Sequence, residues 1–285
     1  MSPRRAPSPR RRRLVSAGVL GACLTLAAGA TGYASQGSPA DPPQDGPGYM
    51  GISQDAARPA AGGGGVHAAG SSGGVQGVDV SHWQGSITWS KVRKAGIRFA
   101  WIKATEGSDY RDSRFAGNYK KSHKAGLYRG AYHFARPNSS SGAQQAKFFA
   151  KNGGHWSKNS RTLPGVLDIE ANPGGATCYG KSASAMRKWI KSFHSTYRKQ
   201  TGRALVVYTN PAWWNQCTGG WSGLKGKAPL WVAHWNNSGP SLPGGFSTWR
   251  VWQYTDSGKV NGISGNTDRN KLNGKVAQLK KLANS

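Results

Sequence analysis

From Val78 onward, short apolar runs alternate with longer amphipathic stretches. The runs are Val78-Asp79-Val80, Phe99-Ala100-Trp101-Ile102, Gly130-Ala131-Tyr132-His133-Phe134, Val166-Leu167-Asp168-Ile169 and Leu205-Val206-Val207-Tyr208. Each has the length and the β-branched or aromatic content of a short buried strand. Between them, 89–95, 114–125, 142–152 and 183–200 read as helices. The last carries Trp189, Phe193 and Tyr197 at i, i+4 and i+8. Gly96, Gly126, Gly153 and Gly202 follow these candidates as C-terminal stops. Strand, helix and strand in repetition predict parallel pairing. After Pro211 the pattern changes to strands with short connections, at 230–235, at 249–254 and near Thr267. Five βα units followed by three helix-poor strands would close an eight-stranded α/β barrel, which carries its site at the C-terminal ends of the strands.

The first third of the chain has a different character. Arg4, Arg5 and Arg10 to Arg13 precede an uncharged, largely apolar stretch from Leu14 to Ala34. Residues 1–34 thus read as a secretory signal, with small residues at Ala28-Gly29-Ala30 and Gly32-Tyr33-Ala34 for cleavage. The arginine run admits a twin-Arg export route, and the stretch is also about long enough for an uncleaved anchor. Residues 35–76 are rich in Gly, Pro, Ser and Ala, including Gly62 to Gly65, and read as a flexible linker or pro-segment. Residues 77–285 read as one folded domain, the part of the chain that acts. With 36% apolar residues the chain can bury a core, so wholesale disorder is excluded.

Charge and cysteines narrow the setting. Lys and Arg number 39 against 11 Asp and Glu, a formal +28, and removing the six arginines of the signal leaves +22. Such a surface suits an anionic partner. Signal cleavage leaves Cys178 and Cys217, an even pair that outside the cell most simply forms a disulfide. Closing a loop of about forty residues would contribute about 4 kcal/mol in the chain-entropy account.

In so basic a chain the acids are informative. Asp79, Asp168 and Glu170 sit at or just past strand candidates, and Asp268 lies in the last one. A buried unpaired charge is expensive, so function is the better explanation. Asp168 and Glu170 are two apart, which on an extended strand puts both on one face, about 6.5 Å apart along the backbone. Close carboxylates do not both ionise easily; one becomes a proton donor beside an anion, the equipment for glycoside hydrolysis. Glu106, Asp109, Asp112 and Asp256 fall in loop-like sequence and read as surface or ion-pair residues. Aromatic residues gather at the same strand ends: Trp83, Tyr132, Phe134, Tyr208, Trp213, Trp214, Trp235 and Tyr254. As a set they suit a sugar-binding groove.

Gly77-Val78-Asp79-Val80-Ser81-His82-Trp83-Gln84, Ala131-Tyr132-His133-Phe134, Asp168-Ile169-Glu170, Trp252-Gln253-Tyr254 and Asp268 occur in an order that resembles the glycoside hydrolase family 25 lysozymes, the N-acetylmuramidases and N,O-diacetylmuramidases. The resemblance covers nearly all of the domain. It implies a TIM-like barrel of (β/α)5(β)3 type and cleavage of the β-1,4 bond between N-acetylmuramic acid and N-acetylglucosamine in peptidoglycan. By motif match Glu170 would be the general acid, Asp168 its partner supporting the acetamido group or the oxocarbenium-like centre, and Asp79 and Asp268 the floor. Tyr132, Phe134, Tyr208, Trp235, Gln253 and Tyr254 would bind substrate. A covalent carboxylate, an activated water and the substrate's own acetamido group all stay open as nucleophile. No metal or cofactor is expected; His82, His133 and His234 lack an HExxH or cysteine set around them. The expected protein is a secreted, extracellular monomer without stable membrane insertion, drawn to anionic wall polymers by charge.

The rival reading is a non-catalytic cationic wall-binding module on the same fold; retention of all four carboxylates speaks against it. Nucleic-acid binding is not expected, because the export signal and the lack of an arginine-rich recognition helix, zinc spacings or RNP motifs oppose it.

Overall fold

The computed structural model describes residues 50–51 and 74–285 apart from 156, 158 and 237. The export signal expected over 1–34 lies outside the described residues, as does most of the linker expected over 35–76. Eight strands close a barrel: β1 (Val75–Val80), β2 (Phe99–Glu106), β3 (Tyr128–Phe134), β4 (Val166–Asp168), β5 (Val206–Thr209), β6 (Leu230–Ala233), β7 (Val251–Gly258) and β8 (Thr267–Leu272). Strands β1 to β7 pair in parallel, in chain order. Strand β8 runs antiparallel to β7 and β1 and completes the circle. A two-residue strand, Tyr110–Arg111, folds back on the end of β2.

Helices α1 (Trp89–Lys94), α2 (Phe115–Lys124), α3 (Gly142–Phe149), α4 (Ala183–Thr201) and α5 (Pro211–Thr218) each follow one of the first five strands. Helix α5 corrects the expectation of short connections after Pro211. Asn210 accepts from the Trp213 amide at 2.9 Å and Pro211 occupies the first turn, a start signal that the sequence carries openly. Trp213 and Trp214 are therefore buried on a helix, part of the core and not of a groove. Helix α4 is capped by Ser182, whose side chain accepts from Ala185, and stops at Gly202 with φ of 69°. It turns Trp189, Phe193 and Tyr197 onto the barrel. The pair Cys178 and Cys217 is bonded, tying the loop after β4 to the end of α5.

Alternation along each strand separates two apolar layers. In β2, Phe99 and Trp101 point into the barrel while Ala100 and Ile102 pack under the helices. The interior is crowded at its floor: a Cβ on Gly77 would lie 2.2 Å from the Phe99 ring, and one on Gly130 would lie 2.3 Å from the Trp101 indole nitrogen. Trp101 and Trp231 meet with ring centroids 4.7 Å apart, and Tyr208 meets Trp231 edge-on at 5.0 Å. Helix α6 (Val276–Ala283), which the sequence pattern had not suggested, adds Leu279, Leu282 and Ala283 to this cluster. With the lower barrel full of rings, polar groups are left only at the C-terminal mouth.

On the outer face of β3, His133 is held between Thr105 Oγ1 at 2.8 Å and Gln145 Oε1 at 3.0 Å, clamping α3 to the barrel. Burial lowers its pKa to about 4. The unfolded imidazole, at its ordinary 6.5, takes up a proton first on acidification. His133 thus contributes stability that is complete above pH 6.5 and lost as pH falls towards 4, by roughly 3 kcal/mol at most. Urea unfolding between pH 7 and pH 4.5 is expected to show this slope and His133→Gln to flatten it; an unchanged slope in the variant would exclude His133 as its source.

Candidate active site

Three strands bring the four acids to one mouth. Strand β4 ends at Asp168; Ile169 turns outward into the helix-facing core, and the Asp168 and Glu170 carboxyls share the inward side, each 1% exposed. Asp79 of β1 stands directly opposite Asp268 of β8 in the antiparallel register. The two pairs share one field. The Tyr208 phenol between them has its pKa pushed well up, by burial first and then by the charges of Glu170, Asp168, Asp79 and Asp268.

The environments of the acids differ. Asp79 accepts from Gln253 Nε2 at 2.9 and 3.1 Å and from Asn270 Nδ2 at 2.8 Å. Those amides oppose the upward push of burial on its pKa, as does a hydrogen bond with Asp268. Asp268 is pushed well up by desolvation and by the Asp79 charge, and Asp79 less so, which favours the pair's proton on Asp268. Asp168 is also pushed well up, by burial and then by Glu170, and Lys103 opposes the shift. Asp168 shares a hydrogen bond with Glu170, and no other described group bonds its oxygens. In each pair one carboxyl is thus held toward the protonated form beside a second.

A polar lattice fixes these groups. Gln253 Oε1 accepts from the Tyr208 hydroxyl at 2.8 Å and from Trp235 Nε1 at 3.0 Å, which orients its amide toward Asp79. Asn270 Oδ1 accepts from Trp231 Nε1 at 2.9 Å. The fully buried Lys103 ammonium bonds Glu106 Oε2 at 2.6 Å, and Arg136 closes on the other Glu106 oxygen at 2.6 Å. Glu106 and Asp112 are thus buried and bonded, where loop-like surface positions had been one expectation; Asp112 accepts from His82 Nδ1 at 2.8 Å.

Of the predicted site residues, Asp79, Asp168, Glu170, Asp268, Tyr132, Tyr208, Trp235 and Gln253 come together. Phe134 lies at the level of Asp168 beneath the Lys103 and Arg136 cations, each 5.2 Å from its ring centroid. Tyr254 is not brought to the mouth. Alternation along β7 leaves it with Trp252 on the face opposite Gln253, donating to Gln76 Oε1 at 2.9 Å and covered by Lys271. Sequence reasoning missed Asn270 and Lys103. The period of two through Asp268, Asn270 and Leu272 marks Asn270 as sharing the acid's face; nothing local marks Lys103. Among the described residues no group of three or more His, Cys, Asp or Glu side chains is arranged to hold a metal ion.

A protonated acid beside a carboxylate, within an aromatic-walled barrel mouth, is the chemistry of glycoside hydrolysis. The family model described as Glycosyl hydrolases family 25 matches residues 78–263. Lysozyme M1 of Streptomyces globisporus is 60% identical over 74% of this chain and 72% of its own length. The N,O-diacetylmuramidase of a Chalaropsis species is 41% identical over 73% of this chain and 99% of its own. A crystal structure of a bacterial lysozyme from Streptomyces coelicolor, 60% identical, superposes with a TM-score of 0.74 over 75% of this chain and 98% of that one. The chain is a glycoside hydrolase. It belongs to glycosyl hydrolase family 25.

Asn270→Leu would remove an amide from Asp79 and leave the Trp231 N–H buried without an acceptor. Urea unfolding at pH 7 is expected to lose about 2–4 kcal/mol; a parent-like midpoint would show that the lattice does not support the acid pair.

Proposed function

We propose that the chain is a secreted lysozyme hydrolysing the β-1,4 bond between N-acetylmuramic acid and N-acetylglucosamine in peptidoglycan, with Glu170 as general acid. One observation carries the assignment of the acid: Glu170 presents Oε1 to whatever occupies the mouth, and it already bonds a backbone amide there at 2.7 Å. Asp168 lies beside it, hydrogen-bonded to it and to no other described group. In the reactive form the pair's shared proton sits on Glu170, the member that reaches the leaving oxygen, and Asp168 as the carboxylate meets positive charge developing at the sugar. Asp79 and Asp268, braced by Gln253 and Asn270, form the floor. Tyr132, Tyr208 and Trp235 offer the walls on which a sugar face packs. The family 25 relatives named lysozyme and N,O-diacetylmuramidase support this choice of substrate. Export and a monomeric state remain part of the proposal.

Glu170→Gln is expected to lower the lysis rate of purified walls by about 10²–10⁴-fold, with thermal unfolding close to the parent. Near-parental lysis would remove Glu170 from the role. Borohydride reduction of the fragments released by the parent should yield muramitol; glucosaminitol would redirect the reaction to the other glycosidic bond.

The surplus of cations supports long-range attraction to phosphate-bearing wall polymers. Raising the salt from 0.1 to 1 M shortens the screening length from about 10 Å to about 3 Å. Wall binding should weaken accordingly, while binding to an uncharged glycan should not; salt-independent wall binding would defeat the electrostatic reading.

A further inference from the structure

Two residues of the Gly/Pro/Ser/Ala-rich segment, Met50 and Gly51, lie inside the candidate site. Met50 is 1% exposed and joins the apolar cluster of the barrel interior that includes Tyr132, Tyr208, Trp231 and Ala233. The Gly51 amide donates to Glu170 Oε1 at 2.7 Å in a buried hydrogen bond. Gly51 has φ of 93°, and a Cβ there would stand 2.7 Å from the Trp235 ring, 3.2 Å from Gln253 Oε1 and 3.4 Å from the Tyr208 hydroxyl. The turn thus meets Glu170, Trp235, Gln253 and Tyr208 together, and only glycine fits its tip.

We infer that Met50-Gly51 is an internal ligand of the sugar cleft, which holds the enzyme latent until the segment is displaced or cut away. This rests on the reading of Glu170 as the acid and adds its regulation. Two effects act together. The turn fills the space against the aromatic wall where a sugar would pack. Its N–H also favours the ionised form of the carboxylate that must donate a proton.

Chain length permits the contact. The 22 residues between Gly51 and Gly74 extend to about 70 Å at most, well beyond the height of a barrel stave. While the chain is intact, such a tether holds the turn at an effective concentration of order millimolar. Hydrolysis of one peptide bond in 52–73 by an extracellular endoprotease consumes a water and leaves a carboxylate on the segment and an amine on the barrel. Re-binding then becomes bimolecular, and dilution releases the turn.

The test uses the full chain as secreted, purified with protease inhibitors, beside its Met50→Asp and Gly51→Val variants. Wall lysis by turbidity and exchange of the backbone amide at position 51 by hydrogen–deuterium NMR are followed on each, and thermal unfolding confirms the fold. The expected result is slow lysis by the parent, at least tenfold faster lysis by both variants, and an amide that exchanges at least a hundredfold faster in them. Equal and measurable lysis rates in parent and variants overturn the inference, as does a freely exchanging Gly51 amide in the parent. If no form lyses walls while the parent amide is protected and the variant amides are not, the internal ligand stands and the lysozyme reading fails.

Discussion

The organising constraint is the cost of placing four carboxyl groups in one enclosed barrel mouth. An isolated buried anion costs several kcal/mol even after relaxation. The mouth meets this cost by sharing protons within pairs and by supplying donors to the anions that remain. Asp268 and Asp168 are driven toward the protonated form. Asp79 takes the side-chain amides of Gln253 and Asn270, and the buried Lys103 lends positive charge near Asp168. The outcome is a set of carboxyls held toward the protonated form beside charge-stabilising partners. The stability problem and the catalytic equipment are one arrangement.

The rest of the barrel makes that arrangement rigid. Below the acids the interior is packed with Phe99, Trp101, Trp231 and Tyr208, leaving no space into which the polar layer could sink. Glycines at 77 and 130 allow the rings to approach the backbone of their neighbours. The rings also supply hydrogen-bond donors upward: Trp231 to Asn270, and Tyr208 with Trp235 to Gln253. The amides that hold Asp79 are therefore themselves held by the aromatic floor and wall. Outside, α4 and α5 cover the strands and the Cys178–Cys217 bond fixes the loop that leaves β4.

The same electrostatic demand explains why a backbone amide settles on Glu170. A mouth rich in acids accepts a donor that can enter without bulk, and a glycine at positive φ presents its N–H without a side chain in the way. Met50 then supplies the apolar anchor, matching the rings that would otherwise meet a sugar.

Much of this was legible in the chain. Period-two and helical spacing revealed the strands and four of the helices, because alternating burial leaves a direct trace in residue type. The pairing of Asp168 with Glu170 followed from side-chain alternation on an extended strand, and the two cysteines from their isolation. Other features depend on contacts between distant segments. Helix α5 was hidden among aromatic residues that read equally well as groove. Tyr254 and Gln253 are neighbours on one strand, so alternation lets only one of them face the mouth, and it is Gln253 that meets Asp79. Lys103, Asn270 and Gly51 acquire meaning only when strands far apart in sequence close into a ring, since a buried charge finds its partner through space and not along the chain. What the sequence by itself determined was which residue types alternate toward a common interior; which acid faces which amide, and what lies against Glu170, only the closed barrel decided.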